Sequence, residues 1–231
     1  MKIIHGDCYE ELMKLRSDGL KADLLLTDPP YNISKETNFS TMRGRSDNMN
    51  MGMERFFDDH FDIENFILLV TKVLKENANV IIFCCRDQIQ EIVDNCNINH
   101  ICIKRWLVLS KSNPAPFNRD RMFVNDIEFA IWGIYNSKDK WTNWTFNRQN
   151  AVEKCIIPTK VQSTKLHPTM KDIDVVLHLV KVLSNENDVV LDPFMGSGTT
   201  GVACKKLKRE FVGIEKEEKY IKIATDRINE A

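Results

Sequence analysis

With 231 residues, 43% hydrophobic and 28% charged side chains, the chain has the composition of a globular protein large enough to bury a substantial core. No apolar run approaches the ~18–20 residues of a membrane span, and "MKIIHGDCYEE" turns acidic too early for a secretory signal. A net charge of −1 argues against a uniformly basic nucleic-acid binder, but residues 104–171 hold twelve Lys/Arg against five Asp/Glu. The seven cysteines form no C-x-x-C pair, which points to a reducing cytoplasm.

Seven short apolar runs read as strands: "KIIH" (2–5), "DLLLTD" (23–28), "NVIIFCC" (79–85), "ICIKRWLVL" (101–109), "DIEFAIWGI" (126–134), "DVVLD" (188–192) and "EFVGI" (210–214). Several are continuous rather than alternating, as in strands covered on both faces. Helical spacing of apolar residues predicts helices over 61–77, 171–184 and 216–230, the second with a capping box at Thr169-x-x-Asp172. Strands alternating with helices predict one doubly wound α/β domain over 1–231, with a seven-stranded, mostly parallel sheet. Two stretches interrupt the alternation. Residues 32–60 are polar, carry Arg43, Arg45 and Arg55, and are expected to form a flexible loop. Residues 136–165 are basic, with Trp141, Trp144 and Phe146 between the charges.

The run "LLLTDPPYNIS" (24–34) ends a buried strand on a carboxylate, a rigid corner and an aromatic ring. A second stretch, "NDVVLDPFMGSGTTGVACKKL" (187–207), passes from a strand ending at Asp192 through a turn with Gly196 and Gly198 into a helix opening near Thr199. The glycines permit a sharp turn and a close approach to a ligand, and the helix start offers free N–H groups. The next strand ends at Glu215, where an acid accepts the hydroxyls of a bound ribose. The letters fit G-x-G-x-x-G, yet "DPF" is unusual before a pyrophosphate loop, and no G-K-[ST] of a P-loop follows. The order strand, turn, helix, strand and acid points to a nucleoside.

Asp28-Pro29-Pro30-Tyr31 followed downstream by "DPFMGSGTT" resembles the amino-group DNA methyltransferases that use S-adenosylmethionine. The catalytic motif precedes the glycine motif, a circularly permuted order similar to that of the β group of type II and type III restriction–modification systems. "IHGDC" (4–8), "NRDRMFVNDIEFAIW" (118–132) and "STKLHPTMK" (163–171) extend the likeness over nearly the whole chain. One departure is Asp172, where the family pattern has proline.

The resemblance implies a Rossmann-like methyltransferase fold and transfer of a methyl group to N6 of adenine in duplex DNA. Aspartate at position 28 favours adenine, because the cytosine-N4 members mostly carry serine there. A cytosine-N4 enzyme, an RNA or protein amino-group methyltransferase, and a non-enzymatic DNA-binding module are the rivals. Asp28 and the Pro29 carbonyl would accept hydrogen bonds from the target amino group, Pro30 would stiffen the corner, and Tyr31 would stack on the flipped base. For the cofactor, Asp7 would take the adenine amino group and Glu215 the ribose. Asp28, Asp192, and the turn Phe194, Gly196, Ser197, Gly198 and Thr199 would line the site, with His167, Pro168 and Thr169 near the methionine end. Arg43, Arg45, Lys138, Lys140, Arg148 and Lys154 are the expected DNA contacts, with 136–165 as the target-recognition insertion. The resemblance allows a homodimer and a separate cognate restriction endonuclease. The histidines and cysteines show no metal-ligand spacing.

Overall fold

The computed structural model describes residues 1–31, 61–114, 123–136, 153–160 and 170–231. Its elements are β1 (Lys2–His5), α1 (Cys8–Ser17), β2 (Ala22–Thr27), α2 (Ile63–Thr71), β3 (Leu74–Cys84), α3 (Ile89–Ile98), β4 (Ile101–Lys111), β5 (Ile127–Tyr135), β6 (Ile156–Thr159), α4 (Ile173–Leu183), β7 (Val189–Asp192), α5 (Thr199–Lys206), β8 (Glu210–Glu215) and α6 (Glu218–Glu230). The strands form one sheet in the order β1-β8-β7-β2-β3-β5-β4-β6. Five of its pairings are parallel; β5 alone runs against both of its neighbours.

The sheet is mostly parallel as expected, but among the described residues it has eight strands rather than seven. The extra strand, β6, lies inside the basic segment 136–165 and pairs in parallel with β4. Pro158 disguises it in the sequence. Proline lacks a donor, and strands tolerate that at an edge, which is where β6 sits.

Alternate residues of β2 show how two cores arise from one apolar run. Leu25 packs with Phe66, Val70 and Leu12 on the face covered by α1, α2 and α3. Leu24 and Leu26 pack with Val176, Val180, Ala203 and Ile228 on the face covered by α4, α5 and α6. Both cores are continuous sets of buried, mostly aliphatic and aromatic side chains, which is why the central strands read as unbroken hydrophobic runs.

The helix boundaries differ from the periodicity. The stretch 61–77 is helical only over Ile63–Thr71, because Val73 and Leu74 keep the helical spacing yet are buried where β3 begins beside Ala22. Asn77, at φ 64°, then produces the register shift between β2 and β3. Asp172 is not the closing acid of a capping box but the N-cap of α4, its carboxylate accepting from the Asp174 amide. Asp7 and Asp62 cap α1 and α2 in the same way. Helices α1 and α3 add to those read from periodicity; each buries only two or three side chains, too few for a strong repeat.

Candidate active site

In the parallel half of the sheet the strand order places four carboxylates side by side. Asp7 follows β1, Glu215 ends β8, Asp192 ends β7 and Asp28 follows β2, and these four strands are consecutive neighbours. The carboxyl edge of an open parallel sheet is where such folds bind ligands.

The two motifs meet through side chains. Thr27, the last residue of β2, donates its hydroxyl to Asp192 Oδ1 at 2.9 Å. Thr200 donates to Asp192 Oδ2 at 2.7 Å, and the Phe194 amide donates to Oδ1 at 3.2 Å. Asp192 is 4% exposed. Burial pushes its carboxyl up to about 7, against these three hydrogen bonds; the Asp28 charge adds to the rise. Asp192 therefore serves as the pin between the strand that carries Asp28 and the glycine turn.

The turn itself passes through two left-handed glycines, Gly196 at φ 50° and Gly198 at φ 80°. Gly198 is the N-cap of α5. Arg227 of α6 donates to the Ser197 carbonyl, to Ser197 Oγ at 2.9 Å and to Thr199 Oγ1 at 3.4 Å. Ser197, Gly198 and Thr199 are buried beneath that helix, whereas Phe194 and Gly196 are half-buried. Phe194 lies edge-on to Phe61, with ring centroids 5.3 Å apart, and the same Phe61 lies 6.4 Å from the Tyr9 ring. Glu215 Oε2 accepts from the Gly196 amide at 2.9 Å and Oε1 from the Glu217 amide at 2.8 Å. Burial raises the Glu215 carboxyl; the amides of Glu217, Gly196 and Lys216 oppose that shift. Asp7 accepts from the Tyr9 amide at 3.0 Å and has Lys216 Nζ at 3.8 Å.

Asp28 sits in a charged cluster. Tyr31 donates its hydroxyl to Asp28 Oδ1 at 2.8 Å, and Lys171 Nζ lies 2.9 Å from Asp28 Oδ2. Lys171 also lies 3.3 Å from Glu128 Oε2, whose other oxygen is 2.9 Å from Lys111 Nζ. Burial disfavours the Lys171 ammonium, but Asp28 and Glu128 outweigh it and hold the group charged. Burial raises the Glu128 carboxyl, yet Lys171 and Lys111 bring it below the usual range. The Tyr31 phenol is pushed well above its ordinary value by burial and then by Asp28. Pro29 is buried, and the Pro30 carbonyl accepts from Gln88 Nε2 at 3.1 Å, so the corner is anchored to the segment after β3.

The structure thus brings together Asp7, Asp28, Pro29, Pro30, Tyr31, Asp192, Phe194, Gly196, Ser197, Gly198, Thr199 and Glu215. Lys154 is exposed just before β6. His167, Pro168, Thr169, Arg43, Arg45, Lys138, Lys140 and Arg148 lie outside the described residues, as do the loop 32–60 and most of 136–165. Among the described residues no group of His, Cys, Asp and Glu has the arrangement of a metal site. No described helix is long and apolar enough to cross a membrane.

Lys171, Glu128, Gln88 and Arg227 take site positions to which the motifs assign no role, although Lys171 and Glu128 lie inside the family-like stretches 163–171 and 118–132. Glu128 leaves a signal, an acid two residues after Asp126 at the start of the apolar run "DIEFAIWGI". Its position follows from the antiparallel β5, whose first residues lie at the carboxyl end of β3.

The donor set suits S-adenosylmethionine. Two carboxylates next to a glycine turn suit an amino group and ribose hydroxyls, and Phe194 offers an apolar face.

A family model described as DNA methylase matches residues 22–226. The type II methyltransferase M2.LlaDCHI of Lactococcus lactis subsp. cremoris is 28% identical, over 98% of this chain and 88% of its own. M.HinfI of Haemophilus influenzae is 29% identical over 99% of this chain and 68% of its own. The crystal structure of the M1.HpyAVI–SAM complex superposes with a TM-score of 0.76 at 31% identity, covering 99% of this chain and 98% of that one. The cytosine-N4-specific PvuII DNA methyltransferase shares the fold at a TM-score of 0.70 and 13% identity, over 97% and 85% of the two chains. The chain belongs to the N6/N4 DNA methylase family and is a DNA amino-methyltransferase.

Proposed function

We propose that the chain methylates N6 of adenine in duplex DNA, with Asp28, Pro29, Pro30 and Tyr31 acting on the flipped base. The observation that carries this reading is the Asp28 carboxylate, held by Tyr31 and Lys171 beside the glycine turn that Asp192 pins. An exocyclic amino group is a poor nucleophile because its lone pair is delocalised into the ring. Acceptors on its N–H bonds favour a pyramidal nitrogen whose lone pair is free to attack. Asp28 and the Pro29 carbonyl supply those acceptors on a backbone that proline stiffens. Tyr31 supports one face of a base withdrawn from the duplex. Positioning the amino nitrogen against a bound methyl donor would supply much of the rate.

S-adenosylmethionine supplies an electrophilic sulfonium methyl group. Asp7 and Glu215 would hold its adenosine, Phe194 to Thr199 would wrap it, and His167, Pro168 and Thr169 would border its methionine end. Aspartate rather than serine at position 28 supports adenine over cytosine, a choice the shared fold leaves open because a cytosine-N4 enzyme has it too. The type II relatives support a restriction–modification setting with a separate endonuclease.

The deciding experiment incubates the protein with unmethylated genomic DNA and isotope-labelled S-adenosylmethionine, then digests the DNA to nucleosides for mass spectrometry. N6-methyldeoxyadenosine is expected. N4-methyldeoxycytidine alone would replace adenine with cytosine as the target, and full activity in Asp28→Ala would end the catalytic assignment.

A further inference from the structure

We propose that Lys171 is the positioning residue for the Asp28 carboxylate and that Glu128 holds Lys171 in place. The inference rests on the reading of Asp28 as acceptor of the target amino group.

An ammonium has three donors and no acceptor. Lys171 finds three oxygens: Asp28 Oδ2 at 2.9 Å, Glu128 Oε2 at 3.3 Å and the Tyr31 hydroxyl at 3.3 Å. Its Nζ also lies 5.0 Å from the centroid of the Phe83 ring and 5.6 Å from that of Tyr31. The side chain is 12% exposed. A lysine on a four-carbon stem ordinarily samples many rotamers; here three acceptors and two rings leave it one place. The anchors come from different parts of the chain. Asp28 and Tyr31 follow β2, Glu128 belongs to β5, and Lys171 immediately precedes the N-cap of α4.

The consequence for Asp28 is a fixed orientation. Tyr31 occupies one lone pair of Oδ1 and Lys171 one lone pair of Oδ2, so the carboxylate plane cannot turn. Each oxygen keeps a second lone pair for an incoming N–H. The cluster also balances its charge, with Asp28 and Glu128 against Lys171 and Lys111. Removing Lys171 leaves two carboxylates facing each other in a largely enclosed site, and proton uptake is then the cheapest relief. A protonated Asp28 presents one acceptor fewer to the amino group. The groups that face the cluster are Asp28, Tyr31, Cys84 at the end of β3, Lys111, Glu128, and Asp192 at the end of β7. Cys84 is a buried thiol whose pKa burial pushes up to about 12, so it stays neutral throughout the working range.

The test measures kcat against pH at saturating DNA and S-adenosylmethionine for Lys171→Met, Lys171→Arg, Glu128→Gln and Asp28→Ala, with cofactor affinity by calorimetry. Lys171→Met keeps the apolar stem and is expected to lose about tenfold or more in kcat near neutrality, to regain activity as pH rises, and to bind cofactor as the parent does. Lys171→Arg is expected to retain most of the activity. Glu128→Gln removes a like charge beside Asp28, so the acidic side of its profile is expected to move to lower pH, opposite to that of Lys171→Met. A parental kcat and profile in Lys171→Met overturns the proposal. So does movement of both profiles in the same direction, which is the behaviour of a packing role. Should Lys171→Met fail to fold, an unchanged profile in Glu128→Gln overturns it equally. Full activity in Asp28→Ala removes the underlying reading instead, whereas an inactive Asp28→Ala beside an unaffected Lys171→Met refutes this inference alone.

Discussion

The Gly196 amide donates to Glu215 Oε2 at 2.9 Å, joining the glycine turn after β7 to the end of β8. The Glu217 amide fixes the other oxygen at 2.8 Å, so the carboxylate is oriented by backbone on both sides before any ligand arrives. Such preorganisation lowers the cost of binding.

A first prediction follows. Hydrogen bonds from ribose hydroxyls to this carboxylate are worth roughly 1.5–3 kcal/mol each in a buried site. Glu215→Ala is expected to weaken S-adenosylmethionine binding by about tenfold or more, and Glu215→Gln by less. Calorimetry that finds parental affinity in both variants would remove Glu215 from the ribose site.

Gly198 supports a second. It sits at φ 80°, and a Cβ there would lie 2.8 Å from the Ala224 Cβ and 3.0 Å from its Cα. The obstacle is helix backbone, not the end of a flexible side chain. Gly198→Ala therefore combines left-handed strain of roughly 1–2 kcal/mol with overpacking of roughly 1–3 kcal/mol. A drop of several degrees in melting temperature is expected, together with weaker cofactor binding, because α6 also carries Arg227. An unchanged melting curve would show that α6 yields freely at this point.

Asp192 gives a dependence on pH. Its carboxyl titrates at about 7 in the folded chain, against about 3.9 unfolded. Between those values the native state holds the proton and the unfolded state does not, so stability falls as pH rises through the window and levels off above about 7. About three units correspond to a loss on the order of 4 kcal/mol between pH 4 and 7. The measurement compares parent and Asp192→Asn by chemical denaturation across that range. The difference between them is expected to shift steadily against the parent; a constant difference would mean that Asp192 is ionised throughout.

The parts of this site that were legible in the sequence are those set by local chemistry. Asp28 and Asp192 stand at the ends of apolar runs, and Glu215 ends the strand after the glycine turn, so strand ends alone locate them. The parallel half of the sheet then brings them together. What was not legible depends on long-range juxtaposition. Lys171 and Tyr31 meet across 140 residues, Arg227 reaches Ser197 across 30, and Gln88 reaches Pro30 across 58. No periodicity encodes those distances. Strand β6 escaped for a different reason: at four residues with a central proline it has less β signal than its basic surroundings have loop signal.

The last prediction concerns where DNA lies. The surplus of positive charge falls between residues 104 and 171, while the rest of the chain is net acidic. The site itself has a balanced cluster around Asp28 and a row of carboxylates, so it offers little attraction to phosphate. Affinity for duplex DNA must then come from outside the site, and Lys138, Lys140, Arg148 and Lys154 lie in the basic segment that also carries Trp141, Trp144 and Phe146. Of the four, Lys154 belongs to the described residues and is exposed beside the edge strand β6. Phosphate contacts release counterions, so binding is expected to fall steeply with salt. Neutralising all four residues together is expected to weaken DNA binding, to flatten its dependence on salt, and to leave S-adenosylmethionine binding intact. Fluorescence anisotropy with a labelled duplex at several salt concentrations reads both quantities. If the quadruple variant follows the parent at every concentration, the phosphate contacts lie elsewhere, and the basic stretch from Lys104 to Arg121 becomes the next set to neutralise.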